Sequence, residues 1–130
     1  MATLRPSGLT LDAGALIAAE KDSAKLRALV KTAIQRRVAM TVPAPVLAQA
    51  WRKNNPKIAL LLKACRVTPL DEDRAKAVGN LLADTGGRDI VDAAVVLGAL
   101  ERGDTVVTSD RGDIERLAAA RRAKLTIVSV

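Results

Sequence analysis

The sequence predicts an α/β domain, a three-layer α/β/α sandwich built around a mainly parallel sheet, and three observations carry that expectation. Short apolar stretches that read as strands alternate with longer stretches of helical periodicity. The 130 residues suit a single domain spanning residues 1–130, a size at which roughly two thirds of the unfolded surface can be buried. No repeat, linker or low-complexity segment interrupts the alternation.

Taken in order, "LTL" at 9–11 is a first strand that runs into Asp12, and "AGALIAAE" after it has helical composition. "SAKLRALVKTAIQRR" (23–37) places Leu26, Leu29, Val30, Ala33 and Ile34 at spacings of three and four, the pattern of an amphipathic helix. "VAMTV" (38–42) reads as the next strand, with Pro43 and Pro45 at the turn and first positions of a helix through "VLAQAWR". "NNPKIALLLKACR" reads as a short helix and "VTPL" as a brief extended segment. In "DEDRAKAVGNLLADTGG" the acidic triplet sits where a helix N-terminus favours negative charge, and Gly86-Gly87 ends the element. "DIVDAAVVLGALERG" (89–103) is nearly all apolar after Asp92 and is expected to be a helix buried on several sides. "TVV", a helix from Asp113 to Arg122, and "LTIV" (125–128) complete the chain.

Composition narrows the chemistry. The apolar content of 49% comes from Ala, Leu and Val, and Trp51 is the only aromatic residue. A nucleic-acid partner would therefore be held by charge and shape rather than by an aromatic stacking platform. Twenty-one Lys and Arg against 14 Asp and Glu give a net charge of +7, a balance that favours polyanions. With Cys65 as the sole cysteine and no histidine, no intrachain disulfide and no ordinary Cys/His zinc set can form. No apolar run approaches the about 20 residues a membrane helix needs, so the expectation is a cytoplasmic protein with no membrane partner.

The carboxylates are the informative residues. In an open parallel sheet, sites gather beyond the carboxyl ends of the strands. Asp12 follows the first strand and Asp110 follows "TVV", so both are expected at that edge. Asp92 lies near the start of an apolar helix, where an unpaired charge is costly to bury. Each has a structural explanation: Asp12, Asp89 and Asp110 as helix caps, with Asp113 three residues beyond Asp110. Together, three carboxylates on separate segments at one edge repel one another unless a cation neutralises them. Oxygen donors without His or Cys suit Mg2+ or Mn2+, an arrangement adapted to phosphodiester hydrolysis.

"LTLDAGALIA", "PAPVLAQAWR", "DIVDAAVVLGA" and "VVTSDRGDIERL", in this order, resemble the motifs of PIN-domain ribonucleases, in particular VapC-type toxins of toxin–antitoxin pairs. The resemblance spans nearly the whole chain. It implies a PIN-like α/β/α fold, Mg2+ or Mn2+ dependence, endonucleolytic cleavage of structured RNA such as transfer RNA, a small VapB-type antitoxin as partner, and a homodimer. Carried over by motif, Asp12, Asp92 and Asp110 would be metal ligands and catalytic, with Asp113 supporting the last, while Thr108 and Ser109 would line the site; Arg111, by its place inside the "TSDRGD" loop, is the expected phosphate contact. The departure is Gln49, which stands where the family usually has Glu. An amide keeps an acceptor oxygen but loses a negative charge and cannot act as a base, so reduced activity is expected, whether the change is natural or was introduced to quench a toxic enzyme.

Two other readings bear on the same residues. A PIN-like module that binds antitoxin or RNA without cutting would explain Gln49. A phosphoacceptor domain would want an acidic pair at the first strand and a Lys beyond a late one, and the chain has neither. For the antitoxin, a groove near the early helices lined by Trp51 and "IALLLKAC" is the expected seat.

Overall fold

A computed structural model describes residues 8–130. The elements run β1 (Leu9–Leu11), α1 (Ala13–Glu20), α2 (Ala24–Gln35), β2 (Met40–Pro43), α3 (Ala44–Ala50), α4 (Pro56–Leu62), β3 (Arg66–Thr68), α5 (Glu72–Thr85), α6 (Ile90–Arg102), β4 (Thr105–Thr108), α7 (Arg111–Ala120) and β5 (Ile127–Ser129). The five strands form one sheet in the order β3-β2-β1-β4-β5. Every pairing is parallel, with Leu9 opposite Met40 and Thr105, Thr41 opposite Arg66, and Val106 opposite Ile127. The sheet is therefore wholly parallel, and the expected α/β/α architecture is the one observed.

The strand order reverses at β1, since the chain runs outward through β2 and β3 and returns on the other side to β4 and β5. That reversal opens a crevice beyond the carboxyl ends of β1 and β4, the usual place for a site in such sheets. The central strands are buried on both faces: Leu11, Val42, Val106 and Val107 have no exposed surface. α1 packs against α2, α3 and α4, while α6 packs against α5, α7 and the strands. Ala93, Ala94, Val95, Val96, Gly98 and Ala99 bury α6 on several sides, as the apolar run from 93 predicts.

Element ends follow local chemistry. Ser23 and Asp71 cap α2 and α5 by accepting from Leu26 N–H and Arg74 N–H. Gly86 and Gly103 close α5 and α6 with φ of 69° and 72°, a conformation that costs glycine little. α4 has no cap from its own Asn55; instead Glu20, at the end of α1, accepts from Lys57 N–H and Ile58 N–H at 3.1 and 3.0 Å. Strand β2 starts at Met40 rather than Val38, because Val38 N–H still bonds Ala33 C=O at the end of α2. Strand β5 starts at Ile127 rather than Leu125. No helix among the described residues is long and apolar enough to cross a membrane.

Candidate active site

The site begins where β1 ends. Asp12 is 5% exposed, and its backbone N–H bonds Val107 C=O at 3.1 Å, tying the ends of β1 and β4 together. As N-cap of α1 it accepts from Ala15 N–H at 2.9 Å through Oδ1. Its other oxygen, Oδ2, accepts from the hydroxyl of Thr108, the fully buried last residue of β4. The same hydroxyl accepts from Asp110 N–H at 2.8 Å. Thr108 thus couples the side chain of Asp12 to the backbone of Asp110, with its one donor hydrogen given to the carboxylate.

Gly14 allows the β4–α7 loop to come this close. A Cβ on Gly14 would stand 2.7 Å from Ser109 Cβ and run into its hydroxyl. The side chain of Ser109, which is itself exposed, occupies the space that a residue-14 side chain would take. Sequence reading passed over Gly14 as part of a helical stretch, since the contact is formed by residues 95 positions apart in the chain.

Asp110 precedes α7 but does not cap it, for its side chain accepts no bond from the first turn. The capping expected of it is corrected accordingly: the residue is exposed, with its carboxylate uncommitted to the helix. On α6 the N-cap is Asp89, whose Oδ1 accepts from Asp92 N–H at 2.9 Å. Asp92 stands in the first turn, partly buried. Asp113, in the first turn of α7, pairs with Arg116 at 3.0 Å.

The electrostatics of these carboxylates are strained. Burial pushes the Asp12 carboxyl above its ordinary range, the Thr108 hydroxyl and the N–H groups of Ala15 and Gly14 offset part of this, and the charge of Asp110 adds to it. Asp92 is pushed up to about 7, first by burial and then by the negative charges of Asp89, Asp113 and Asp12. Asp12 is therefore within electrostatic reach of both Asp92 and Asp110. Still, among the described residues no three acidic or sulfur side chains lie at ligand spacing for one ion.

The donor set nonetheless fits a hard dication. Mg2+ is commonly held by one or two carboxylates with water completing its shell, and the oxygen donors that could serve here are the carboxylates of Asp12, Asp92 and Asp110.

The remaining expected residues are placed as follows. Gln49 is exposed on the last turn of α3, a helix that packs against α6, and it does not line the cleft beside Asp92 and Asp113. Arg111 is committed elsewhere: its guanidinium donates to Ile127 C=O at 2.7 Å and Ser129 Oγ at 3.3 Å, bracing α7 on β5, and pairs with Glu115. Trp51 is half-buried against the core rather than in a groove. Arg116, three residues from Asp113, is a basic neighbour that sequence reading did not single out.

Residues 9–120 match the family model of the PIN domain. No curated protein matches the chain. Solved structures with similar folds include a chain of VapBC2 from Rickettsia felis, in a complex with a DNA fragment from its promoter, at 14% identity and a TM-score of 0.68, covering 94% of this chain and 98% of that one. DNA-bound VapBC from Salmonella typhimurium is similar at 17% identity and a TM-score of 0.66, covering 95% and 98%. PAE2754 from Pyrobaculum aerophilum is similar at 18% identity and 0.63, covering 95% and 91%. These likenesses establish the shared fold, and the match of the family model over most of the chain shows that it belongs to the PIN domain family.

Proposed function

We propose that the protein is a divalent-metal-dependent endoribonuclease, the VapC-type toxin of a toxin–antitoxin pair, acting in the cytoplasm on structured RNA such as transfer RNA. The single observation that carries this reading is the uncompensated carboxylate group at the crevice: a buried Asp12 linked through Thr108 to Asp110, beside an Asp92 pushed up to about 7. Negative charge kept half-buried without a basic partner is costly, and perturbed carboxylates of this kind cluster at functional sites.

In this reading Asp12, Asp92 and Asp110 hold Mg2+ or Mn2+, with Asp113 supporting Asp110's side of the site. A bound dication supplies Lewis acidity, offsetting charge on the scissile phosphodiester and acidifying the attacking water. The chain's own contribution is positional. Thr108 fixes the rotamer of Asp12 and the loop bearing Asp110, Asp89 fixes the first turn that carries Asp92, and Ser109 forms the exposed lip on which substrate rests. Arg111, braced on β5, supports that lip and gives its charge, not its hydrogen bonds, to the phosphates.

The partner is read as a VapB-type antitoxin, seated in an apolar groove of about 370 Å3 between α2 and α4, with Leu26, Val30, Ile34, Leu60 and Leu61 on its walls. Ile34 and Leu60 are 54% and 68% exposed, more than isolated apolar residues need be. The VapBC complexes among the structural relatives support this partner. A homodimer is the proposed assembly of the toxin itself.

Gln49 favours a second reading, a PIN module that binds antitoxin or RNA without cutting. One experiment separates the two. Gln49→Glu is expected to raise Mn2+-dependent cleavage of bulk transfer RNA by about tenfold or more, and an Asp12→Asn control is expected to show none. Retention of RNA with no products from either the wild type or Gln49→Glu, with or without Mn2+, would establish the binding module instead.

A further inference from the structure

A second feature opens beside the carboxylates. A cleft of about 270 Å3 lies between the end of α5, the start of α6 and α7, with Leu82 and Leu117 among its apolar walls and Asp92 and Asp113 among its acidic ones. Arg88, on the α5–α6 loop, and Arg116, on α7, also line it. The cleft is slightly smaller than the about 300–1,000 Å3 typical of pockets for drug-sized ligands, so it suits one small planar group rather than a folded ligand.

The geometry points to this cleft as a nucleobase subsite for a single-stranded segment of RNA, with the flanking phosphates on Arg88 and Arg116. This rests on the ribonuclease reading and adds to it which part of the substrate the chain grips beside the cut. The argument is one of complementarity. A base has two apolar faces and a polar edge, for which the lining offers Leu82 and Leu117 as apolar contacts and the Asp89 carboxylate as an acceptor for an amino group. Each neighbouring phosphate is an anion, and the two arginines in the lining, from the α5–α6 loop and from α7, are the cations offered to it. With Trp51 the only aromatic residue, stacking on a ring is replaced by contact with leucines. Arg116 is 74% exposed along its side chain and holds Asp113 from solvent, so it can exchange that carboxylate for a phosphate at little cost. A base in this cleft has left its stack, so unpaired RNA is expected to bind and duplex is not.

Gly87 provides the probe. A Cβ there would stand 3.1 Å from Thr85 Oγ1 and 3.5 Å from Leu82 Cδ2, at the cleft wall. Because its backbone is outside the left-handed region, unlike that of Gly86, Gly87→Leu adds bulk at the cleft wall without backbone strain, at the cost of a small shift of the Thr85 hydroxyl. The experiment measures binding of fluorescein-labelled single-stranded RNA decamers by polarisation to the full chain carrying Asp12→Asn, so that nothing is cut. Adding Gly87→Leu is expected to weaken binding at least tenfold while the chain still melts in one cooperative transition well above the assay temperature. Arg88→Ala and Arg116→Ala, both on the surface, are each expected to weaken it several-fold and to lower the salt dependence by about one phosphate contact. Affinity within twofold for all three variants, no binding of any decamer, or equal competition by duplex RNA overturns the subsite. The two readings fail separately: a chain that cleaves while Gly87→Leu binds normally loses only the subsite, and one that never cleaves yet shows these losses loses only the nuclease.

Discussion

Both ends of the sheet bury an aspartate against a threonine, and the two are solved differently. At the amino edge, Asp104 is 7% exposed and its Oδ2 accepts from Thr10 Oγ1 at 2.8 Å and from Arg102 Nε at 2.8 Å, with Arg102 reaching on to Thr10 at 2.9 Å. Its charge is met by a cation. At the carboxyl edge, Asp12 is buried to a similar degree and also takes a threonine hydroxyl, but no lysine or arginine among the described residues pairs with it. The same residue types thus make a closed structural network at one end and an open electrostatic deficit at the other. The first neutralises its own charge; the second leaves a buried carboxylate that no basic side chain among the described residues meets.

The largest effects should separate the two ends. Asp12→Asn is expected to abolish Mn2+-dependent cleavage, by about a hundredfold or more, while leaving the melting temperature equal or higher, because a neutral amide replaces a buried charge. Asp104→Asn is expected to do the reverse: it leaves Arg102 without its carboxylate and costs about 2–4 kcal/mol, read as a fall in urea midpoint with cleavage per folded molecule unchanged. If Asp12→Asn instead unfolds the protein as readily as Asp104→Asn, the two ends are alike and the contrast is lost.

How much of this was legible in the sequence depends on the range of the interaction. The parallel α/β layering followed from apolar strands alternating with helices, and Asp12, Asp92 and Asp110 could be singled out because position after a strand or at a helix start is a local property. Capping was legible at Asp12 and Asp89 for the same reason. What escaped was set by contacts distant in sequence. Asp110 does not cap α7, because Thr108 holds its backbone N–H and fixes the loop in another conformation. Arg111 sits inside the loop that suggested a phosphate contact, yet β5 takes its donors. Glu20 capping α4 and Gly14 meeting Ser109 leave no trace in either segment alone.

Gly14 offers a sharper test of how the open end is held. Gly14→Ala places a Cβ 2.7 Å from that of Ser109, forcing the β4–α7 loop outward and stretching the Asp12–Thr108–Asp110 link. Overpacking of this kind costs about 1–3 kcal/mol, and the rise in melting temperature on adding Mn2+ is expected to shrink with it. Ser109→Gly in the same chain removes the clashing side chain and should restore most of both. Equal Mn2+ shifts for wild type and Gly14→Ala would show that this close approach has no bearing on the ion.

The smallest effect is the most direct measure of the deficit. The Asp92 carboxyl is raised from 3.8 to about 7, so between those values the folded protein keeps a proton that the unfolded chain has released. Its contribution to stability is therefore fully present below about pH 4 and lost as pH rises through about 7. After solvent screening at this partly buried position the contribution is about 1–2 kcal/mol. Asp92→Asn keeps the side chain neutral at every pH, so it should melt higher than wild type near pH 8 and together with it near pH 4, a difference that cancels the titration of all other groups. Mn2+ at pH 8 should close the gap from the wild-type side, since a cation does there what the proton does in acid. A constant difference between the two proteins across this range would mean that Asp92 carries no unmet charge, and the two ends of the sheet would then differ only in which aspartate happens to have an arginine beside it.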